Sequence, residues 1–378
     1  MKKILFIIII LLCPIRVFAE ELIPNSTSGI LIEANSGKII FEKEINKEVS
    51  VASMTKMVAQ IIILEEIKAK HIKWDDIATV SKNASDMGGS QIYLEQGEKI
   101  TLEDLMKGIS VASGNDATVA MAEYISGSEE KFVKRMNKKV KELGLVHTHF
   151  TNCTGLDEKN HYSSAYDMAM IARELVVNYP EILKFSSIYE DYLRENTNKK
   201  FWLVNTNKLI AGYEGTDGLK TGHTDDAGYC LAATTKRNNV RLIAIVLGEK
   251  ESKTRNKETM ELLDYGFNNI KVKTLKKKGV LIDRRIVNKA DKNYVDIILK
   301  EDLNVVEDLE DNNKYKYEIE IDNINVPISA NTPIGEIIVK NNSKVIAKEE
   351  LITAFDLNKV PLLTYYLNNL KSIIIGNY

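Results

Sequence analysis

Spacing between apolar residues changes along the chain, and each change predicts a different kind of structure. Near the start, β-type runs at 29–32 and 38–41 flank Asn35-Ser36-Gly37, a tripeptide typical of a hairpin turn. From about residue 53 to about residue 177, apolar positions recur at helical spacing, which predicts a series of amphipathic helices. Strands are expected again at 219–222, 229–235 and 242–247, and then a helix around 257–267.

Strands therefore open and close a unit whose middle is mostly helical. An antiparallel sheet that joins the two ends of the unit, with the helical cluster inserted, satisfies this order and predicts an α/β class. After about Asn268, short β-type segments broken by Gly and Asn predict a small all-β domain. We expect a leader at 1–19, an α/β domain at 20–268, an all-β domain at 269–357 and an amphipathic helix at 358–378.

The first residues have the pattern of a secretory signal. Lys2 and Lys3 precede an apolar run from Ile4 to Cys13, and Val17-Phe18-Ala19 offers small residues before a cleavage point. The run is about half as long as a membrane span requires. Loss of residues 1–19 removes Lys2, Lys3 and Arg16, so the formal net charge changes from −2 to −5. A mildly acidic mature chain gives no electrostatic reason to expect nucleic-acid binding.

Cysteine and histidine positions predict neither a metal site nor a cofactor. Cys13 leaves with the leader, and Cys153 and Cys230 remain. These two could pair outside the cell, but the sequence does not test their geometry. No close cluster of Cys and His suggests zinc, and His147 and His149 are better explained as ordinary loop or strand residues. No cofactor is expected.

Candidate chemistry begins at Ser53-Met54-Thr55-Lys56, near a predicted helix start. Residues three apart on a helix share a face, so the Lys56 amine can reach the Ser53 hydroxyl. A serine hydroxyl is a poor nucleophile until a neighbouring base takes its proton. Lysine can be that base only when burial or nearby positive charge lowers its pKa. Alone the motif is weak, because a solvated lysine on an ordinary helix explains it equally well.

Two further motifs follow in the order that the chemistry needs. Ser113-Gly114-Asn115 lies between two predicted helices, where Ser113 could relay a proton and Asn115 could hold a substrate amide. Lys220-Thr221-Gly222, followed by His223, lies on a predicted strand. A strand edge can pair with an extended peptide, and Lys220 and Thr221 could bind a terminal carboxylate. Each motif has a plain structural explanation alone, as helix caps or as a solvent-facing strand lysine.

Together the three motifs are the set that occurs in penicillin-binding proteins and class A β-lactamases. The chain further resembles the low-molecular-mass penicillin-binding proteins, which are serine-type D-alanyl-D-alanine carboxypeptidases. The resemblance is strong over about 27–268 and weaker in the β-rich tail. It rests on Asp217-Gly218-Leu219-Lys220-Thr221-Gly222-His223-Thr224, Ala227-Gly228-Tyr229, Gly155-Leu156-Asp157, His161-Tyr162-Ser163 and Asn205-Thr206-Asn207-Lys208-Leu209. Cys153-Thr154 departs from the usual pattern and puts the shape of one loop in question.

This resemblance implies a β-lactamase/transpeptidase-like fold and an acyl-enzyme mechanism. Ser53, Lys56 and Ser113 would be catalytic, and Asn115, Lys220, Thr221, Gly222 and His223 would bind the substrate. Lys56 would activate Ser53, the backbone N–H groups of Ser53 and His223 would stabilise the oxyanion, and Ser113 with Lys220 would pass a proton to the departing D-alanine. The expected partners are peptidoglycan stem peptides ending in D-Ala-D-Ala and β-lactam antibiotics, which would acylate Ser53.

Three alternatives stay open. A β-lactamase would need a deacylating glutamate, which Glu181-Ile182-Leu183-Lys184 does not supply. A D,D-endopeptidase that cleaves peptide crosslinks is hard to separate from a carboxypeptidase by sequence. A catalytically idle wall-binding protein would have lost Ser53, Lys56 or Lys220, and all three are present.

The C-terminus supplies a last expectation. Leu363, Tyr366, Leu367, Leu370 and Ile374 recur at helical spacing. In the family that this chain resembles, such a tail often lies on the outer face of the cytoplasmic membrane, so we expect an exported, membrane-attached protein. The alternative is a helix packed on the β domain.

Overall fold

A computed structural model describes residues 22–195, 197–238, 240–308, 314–361 and 366. The predicted leader at 1–19 lies outside the described residues, as does the predicted C-terminal helix apart from its first residues and Tyr366. In the described part of the chain, no helix is both long and apolar enough to cross a membrane.

The first domain contains nine α-helices and nine strands of the described chain. In chain order they are β1 (Ser28–Glu33), β2 (Ile39–Lys43), α1 (Lys56–Lys68), β3 (Ile77–Thr79), α2 (Lys82–Ser85), β4 (Lys99–Thr101), α3 (Leu102–Val111), α4 (Asn115–Ser126), α5 (Glu129–Glu142), α6 (Ala165–Asn178), α7 (Leu183–Ser186), β5 (Glu190–Leu193), β6 (Phe201–Val204), α8 (Leu209–Gly212), β7 (Thr216–Thr224), β8 (Gly228–Arg237), β9 (Val240–Glu249) and α9 (Ser252–Asn269).

Five strands form the central antiparallel sheet in the order β2-β1-β9-β8-β7. Because successive side chains of a strand point to opposite faces, Ile30 and Ile32 pack with the helical cluster while Leu31 packs against α9. Both faces of the sheet are therefore covered, which explains why 242–247 is a continuous apolar run. The predicted α/β class is confirmed, with strands from both ends of the first domain paired in one sheet.

Local signals explain where several helices begin. Thr101 Oγ1 accepts a hydrogen bond from the Asp104 N–H at 3.1 Å, and Ser128 Oγ accepts one from the Lys131 N–H at 3.3 Å. These side chains satisfy donors that the first helical turn leaves unpaired. Helix α1 is different, because its residues from Lys56 to Leu64 are buried on every side. It runs through the middle of the domain and carries a candidate site residue at its first position.

The second domain is all-β, as predicted. Its strands are β10 (Ile270–Lys276), β11 (Leu281–Ile286), β12 (Tyr294–Leu299), β13 (Leu303–Asp308), β14 (Lys316–Ile321), β15 (Pro333–Asn341) and β16 (Lys344–Thr353). Five of them form a sheet in the order β11-β12-β16-β15-β14, and β10 pairs with β13. A separate apolar core, which includes Val295, Ile297, Ile337 and Leu351, stabilises this domain.

The two cysteines of the first domain do not pair. Cys153 and Cys230 are both free thiols and both buried. Cys153 Sγ donates to Glu129 Oε1 at 3.3 Å, whereas Cys230 Sγ lies 3.5 Å from the Ala227 carbonyl oxygen.

Candidate active site

Ser53 lies in a short 3₁₀ turn, Ala52–Thr55, that leads directly into α1. Ala52 has φ +48°, a left-handed conformation that is unusual for a residue with a side chain. Such strained positions persist only where surrounding contacts hold them. The turn therefore presents Ser53 at the start of a buried helix and not in a flexible loop.

The Lys56 amine contacts three oxygen atoms at hydrogen-bond distance. Its Nζ lies 2.7 Å from Ser53 Oγ, 2.7 Å from Asn115 Oδ1 and 2.6 Å from the Thr154 carbonyl oxygen. An ammonium group would donate to all three. A neutral amine would donate to Asn115 and Thr154 and accept the Ser53 hydroxyl proton with its lone pair. The geometry thus fits a base that is ready to deprotonate Ser53.

Burial favours the neutral form of the Lys56 amine. Lys56 is completely buried, and this burial lowers its pKa from 10.5 to about 7, although Cys153 and the nearby Asp116 carboxylate act in the opposite direction. A buried ammonium is disfavoured because water no longer solvates it. Near neutral pH, a large share of Lys56 is therefore unprotonated and able to act as a general base.

Ser113 and Lys220 form a second hydroxyl–amine pair. Ser113 lies in the turn between α3 and α4 with φ +62°. Lys220 Nζ, on β7, donates to Ser113 Oγ at 2.8 Å and to the Thr221 carbonyl oxygen at 2.9 Å. Burial holds the pKa of Lys220 well below its usual range, and the positive charges of Lys56 and Arg255 lower it further. This pair can hold and transfer a proton.

Asn115 stands at the first position of α4 and connects the site to the loop 86–98. Its Oδ1 accepts from Lys56, its Nδ2 donates to the Gly88 carbonyl oxygen at 2.7 Å, and its backbone N–H donates to the Ser90 carbonyl oxygen at 2.7 Å. In this structure its amide therefore positions Lys56. Substrate binding by Asn115 stays a prediction and requires Nδ2 to exchange its bond with Gly88.

Strand β7 forms the open edge of the central sheet beside Ser53. A Cβ atom built on Gly222 would lie 2.6 Å from the Val51 carbonyl oxygen, so only glycine lets the strand lie this close to the Ser53 turn. Thr221 Oγ1 donates to Thr206 Oγ1 at 2.7 Å. His223 is exposed, and its ring centroid lies 4.0 Å from that of Tyr229. Among the described strands β7 pairs with β8 alone. Ser186 and Asn207 already donate to the Asp217 and Gly218 carbonyl oxygens at the start of its outer edge, so the part of the edge that a peptide can pair with lies beyond Gly218.

The loop 152–157 contributes groups that sequence reasoning missed. The Thr154 carbonyl oxygen accepts from Lys56, and Asn152 Oδ1 holds the loop by accepting the Gly155 N–H at 2.7 Å. Gly155 has φ +85°, and a Cβ atom there would lie 1.9 Å from the Ala52 carbonyl oxygen. A backbone carbonyl has no side-chain signature, so the adjacent Gly155-Leu156-Asp157 was the only available signal.

His161 supports the Ser53 turn from behind. Its Nε2 lies 2.8 Å from Thr55 Oγ1, and its Nδ1 accepts the Thr151 backbone N–H at 3.2 Å. Because Nδ1 is an acceptor, the proton resides on Nε2 and is donated to Thr55. Burial lowers the pKa of His161 to about 4, which keeps the ring neutral.

Comparisons with known proteins agree with this geometry. The family model described as D-alanyl-D-alanine carboxypeptidase matches residues 18–251, and the one described as penicillin-binding protein 5, C-terminal domain, matches residues 271–359. D-alanyl-D-alanine carboxypeptidase DacF of Bacillus subtilis is 45% identical over 348 residues, which cover 92% of this chain and 89% of that protein.

Solved structures are similar as well. Penicillin binding protein 5 from Haemophilus influenzae has a TM-score of 0.70 and 32% sequence identity, over 89% of this chain and 98% of that one. Penicillin-binding protein D2 from Listeria monocytogenes, in its ampicillin-bound form, has a TM-score of 0.58 and 29% identity, over 64% of this chain and 97% of that one.

Proposed function

Because the chain belongs to the D-alanyl-D-alanine carboxypeptidase family, we propose that Ser53 is the nucleophile that forms the acyl-enzyme. The predicted family, fold class and activity are confirmed: the protein is a serine D,D-carboxypeptidase that removes the terminal D-alanine from peptidoglycan stem peptides. Its substrate lies in the cell wall, outside the cytoplasm. The roles of individual residues are our own inference.

The observation that carries this proposal is the contact of 2.7 Å between Lys56 Nζ and Ser53 Oγ. As Ser53 Oγ attacks the carbonyl carbon of the penultimate D-alanine, neutral Lys56 takes the hydroxyl proton. The backbone N–H groups of Ser53 and His223 bind the oxyanion that develops. The peptide C–N bond then breaks, and the proton that Lys56 took from Ser53 passes by way of Ser113 and Lys220 to the departing D-alanine nitrogen, which leaves Lys56 neutral again. Water attacks the acyl-enzyme, and Lys56 serves again as the base.

Lys220 and Thr221 are also the groups in this proposal that bind the substrate's terminal carboxylate. Lys220 is buried with a lowered pKa, and an arriving carboxylate would favour its protonated form. Gly222 keeps the strand edge close to Ser53, and Asn115 binds the substrate amide. β-Lactam antibiotics, which resemble the terminal dipeptide, acylate the same Ser53 in this proposal, as the ampicillin-bound relative suggests.

The test is Ser53→Ala, with labelling by a fluorescent penicillin and release of D-alanine from a small D-Ala-D-Ala peptide as readouts. We expect both to disappear while the thermal unfolding midpoint is retained, because the half-buried Ser53 side chain loses one hydroxyl only. Labelling that persists in the folded variant would place the nucleophile elsewhere. A catalytically idle wall-binding protein would show no labelling even in the unmodified chain.

Export and membrane attachment are the remaining parts of this proposal. Residues 1–19 would direct export, residues 20–268 would catalyse the reaction, residues 269–357 would form a separate supporting domain and residues 358–378 would lie on the outer face of the cytoplasmic membrane. The apolar run of Ile4 to Cys13 and the helical spacing of Leu363, Tyr366, Leu367, Leu370 and Ile374 support it.

A further inference from the structure

Exposed aromatic side chains are concentrated in two segments of the first domain that contact each other. Eight tyrosine and tryptophan side chains are exposed in the described part of the chain, and half of them lie in the segments 86–98 and 188–204. These four are Tyr93, Tyr189, Tyr192 and Trp202. Single exposed apolar residues need no explanation, whereas a group of them marks a surface that binds something.

Two of these side chains form a platform on the β5–β6 hairpin. Tyr192 and Trp202 are directly opposite each other in the antiparallel pair. Their neighbours Leu193 and Leu203 are fully buried, so the alternation of the strands turns Tyr192 and Trp202 outward. They are 41% and 55% exposed. Neither ring packs against another aromatic ring of the described residues, and Tyr192 is in contact with the Lys200 amine.

The hairpin is fixed to the loop that supports the active site. Arg194 Nε donates to Glu98 Oε1 at 2.6 Å, and Lys199 pairs with Glu95. The Phe201 ring packs edge-on against Tyr93, with centroids 5.6 Å apart. Glu95, Glu98 and Tyr93 all belong to the loop 86–98, whose Gly88 and Ser90 carbonyl oxygens bind Asn115. The platform therefore has a fixed position relative to the active site.

The segment that follows β6 also connects the platform to β7, the strand at whose edge the substrate is proposed to bind. Four residues after Trp202 comes Thr206, whose Oγ1 accepts from Thr221 at 2.7 Å. A segment of this length spans at most about 14 Å. In peptidoglycan, four amino acids separate the scissile bond from the sugar that carries the stem peptide, and an extended peptide of that length also spans about 14 Å. A substrate whose terminal carboxylate lies at Thr221 has one amino acid more between that point and its sugar, so its stem peptide is long enough to bring the sugar to Trp202.

We propose that Tyr192 and Trp202 form a stacking site for the glycan of peptidoglycan, the N-acetylated hexosamine that bears the stem peptide. This inference rests on the proposed function, because it assigns the part of the same substrate that Ser53 does not touch. The axial C–H bonds of a pyranose ring give it an apolar face that packs on a flat aromatic side chain, while its hydroxyl groups remain in water. Lys200 Nζ lies 3.7 Å from the centroid of the Tyr192 ring, so Trp202 supplies the larger free face and Lys200 a donor at the edge.

A protein partner fits this surface less well. Stable protein interfaces bury about 800 Å² on each side, and two half-exposed rings on a short hairpin offer much less. Charged and polar residues surround the pair, since Lys199, Lys200 and Glu195 occupy the hairpin loop. A small, flat apolar surface with polar edges matches a sugar ring.

The first experiment measures sugar binding without catalysis. The chain has two tryptophans, and Trp74 packs against Phe185 with ring centroids 5.1 Å apart. In a Trp74→Phe protein, the fluorescence therefore reports on Trp202 alone. We expect a saturable change on addition of peptide-free N-acetylglucosamine tetramer, and a smaller affinity when Tyr192→Ala is added. A signal that stays constant up to the solubility limit of the tetramer would contradict the proposal.

The second experiment compares two substrates, a disaccharide pentapeptide and the same pentapeptide without sugar. We expect Trp202→Thr, which retains a β-forming residue, to lower the ratio of their kcat/KM values about tenfold through KM, the loss of roughly one aromatic contact. Trp202→Tyr should restore most of the ratio, because a ring is again present. Tyr265→Ala, which removes an exposed ring on α9, should leave the ratio unchanged.

The outcomes separate this inference from the proposed function. An unchanged ratio in Trp202→Thr, with Ser53 still labelled by penicillin, would refute the glycan site and leave the mechanism intact. Failure of the unmodified chain to be labelled would refute the mechanism itself. A change in oligomeric state without a change in the ratio would identify the platform as a contact between copies of the chain, which also overturns the proposal.

Discussion

Lys56 and Lys220 show how burial converts an ordinary residue into a catalytic one. Each amine is within hydrogen-bond distance of one serine hydroxyl, and each has its pKa lowered chiefly by burial. The two positive charges also disfavour each other, since Lys56 lowers the pKa of Lys220. Protonation of one site therefore discourages protonation of the other, which keeps at least one amine available as a base.

The pKa of Lys56 predicts how acylation depends on pH. With a pKa of about 7, the neutral base is the minor form in acid and the major form in alkali, so the rate should rise with pH and level off above about 7. The measurement is the rate constant for penicillin labelling from about pH 5 to about pH 9. Lys56→Arg retains a cation of fixed charge and should label poorly at every pH. A rate in the unmodified chain that does not change with pH would exclude Lys56 as the base.

Glu249 is a buried carboxyl group that the proposed mechanism does not use. In the described part of the chain no donor lies beside either oxygen of Glu249 or beside Glu258 Oε2, so these two carboxyl groups can only share a proton with each other. Burial, with Glu258 beside it, raises the pKa of Glu249 from 4.5 to about 8. Unfolding would release this proton between pH 4.5 and about 8, so the contribution of Glu249 to stability falls as pH rises through that window.

Glu249→Gln should therefore stabilise the protein at high pH. The amide keeps the shape of the side chain, carries no charge and can donate to Glu258. We expect a gain of about 1–3 kcal/mol in the free energy of unfolding at pH 8, the usual cost of one unsatisfied buried polar group. The gain should shrink toward pH 5 in thermal melts. Glu42→Gln, at an exposed position on β2, is the control and should change neither the stability at pH 8 nor its dependence on pH. A loss of stability at pH 8 would show that the carboxyl group has a partner that matters.

At the scale of elements, local sequence signals predicted the larger helices and the long strands. Helix α4, Asn115–Ser126, lies within the stretch from about residue 53 to about residue 177 whose apolar spacing predicted helices, because that spacing is a local feature. The last helix was expected around 257–267 but begins earlier, at Ser252. The β5–β6 hairpin was missed, since its outward aromatic residues hide the alternation that marks a half-buried strand.

In the candidate site, too, some groups could be predicted from local sequence and others could not. Ser53, Lys56, Ser113, Asn115 and the Lys220–His223 segment could be found because their side chains form motifs. The Thr154 carbonyl, the left-handed Ala52 and the tight contact at Gly155 depend on how distant segments pack. No residue type encodes such contacts, so only the folded chain reveals them.

Gly155 offers a test of how the loop supports the Ser53 turn. Gly155→Ala would place a Cβ atom 1.9 Å from the Ala52 carbonyl oxygen, so the turn must move. We expect penicillin labelling to slow by at least about tenfold, as a misplaced nucleophile loses its alignment with the base. Gly144→Ala is a matched control, because Gly144 also has positive φ, +71°, but nothing lies within 4 Å of the added atom. If both variants lost labelling equally, backbone strain alone, and not the contact with Ala52, would explain the slower labelling of Gly155→Ala.

At the scale of the whole molecule, the all-β domain has its own apolar core, and its contact with the first domain is limited. Val306 and Ile270 pack against the cluster beneath α9, which includes Leu262 and Leu263. The last described residues of the all-β domain pack within that domain, where Leu357 is buried and pairs with Ile328. The domain thus forms a spacer between the catalytic unit and the last residues of the chain.

The spacer determines where the proposed membrane segment can be removed. Asn358 donates to Asp291, the Val360 N–H donates to the Lys289 carbonyl oxygen at 3.0 Å, and Lys359 pairs with Ala290. A cut directly after Asn358 would break the last two of these contacts, so the chain should end at Pro361. We expect that shortened chain to remain in the supernatant on membrane fractionation and to keep full activity on a small D-Ala-D-Ala peptide.

High salt should release little of the full-length protein from membranes. Only Lys359 and Lys371 are basic in the segment 358–378, so apolar burial of one helical face, and not attraction to anionic lipid, would hold it there. Fractionation of both forms, with and without salt, tests this. If the chain that ends at Pro361 still pellets with membranes, attachment depends on another region, and an uncleaved N-terminal segment is the first to examine. If that chain unfolds, the removed helix packs on the all-β domain and stabilises it.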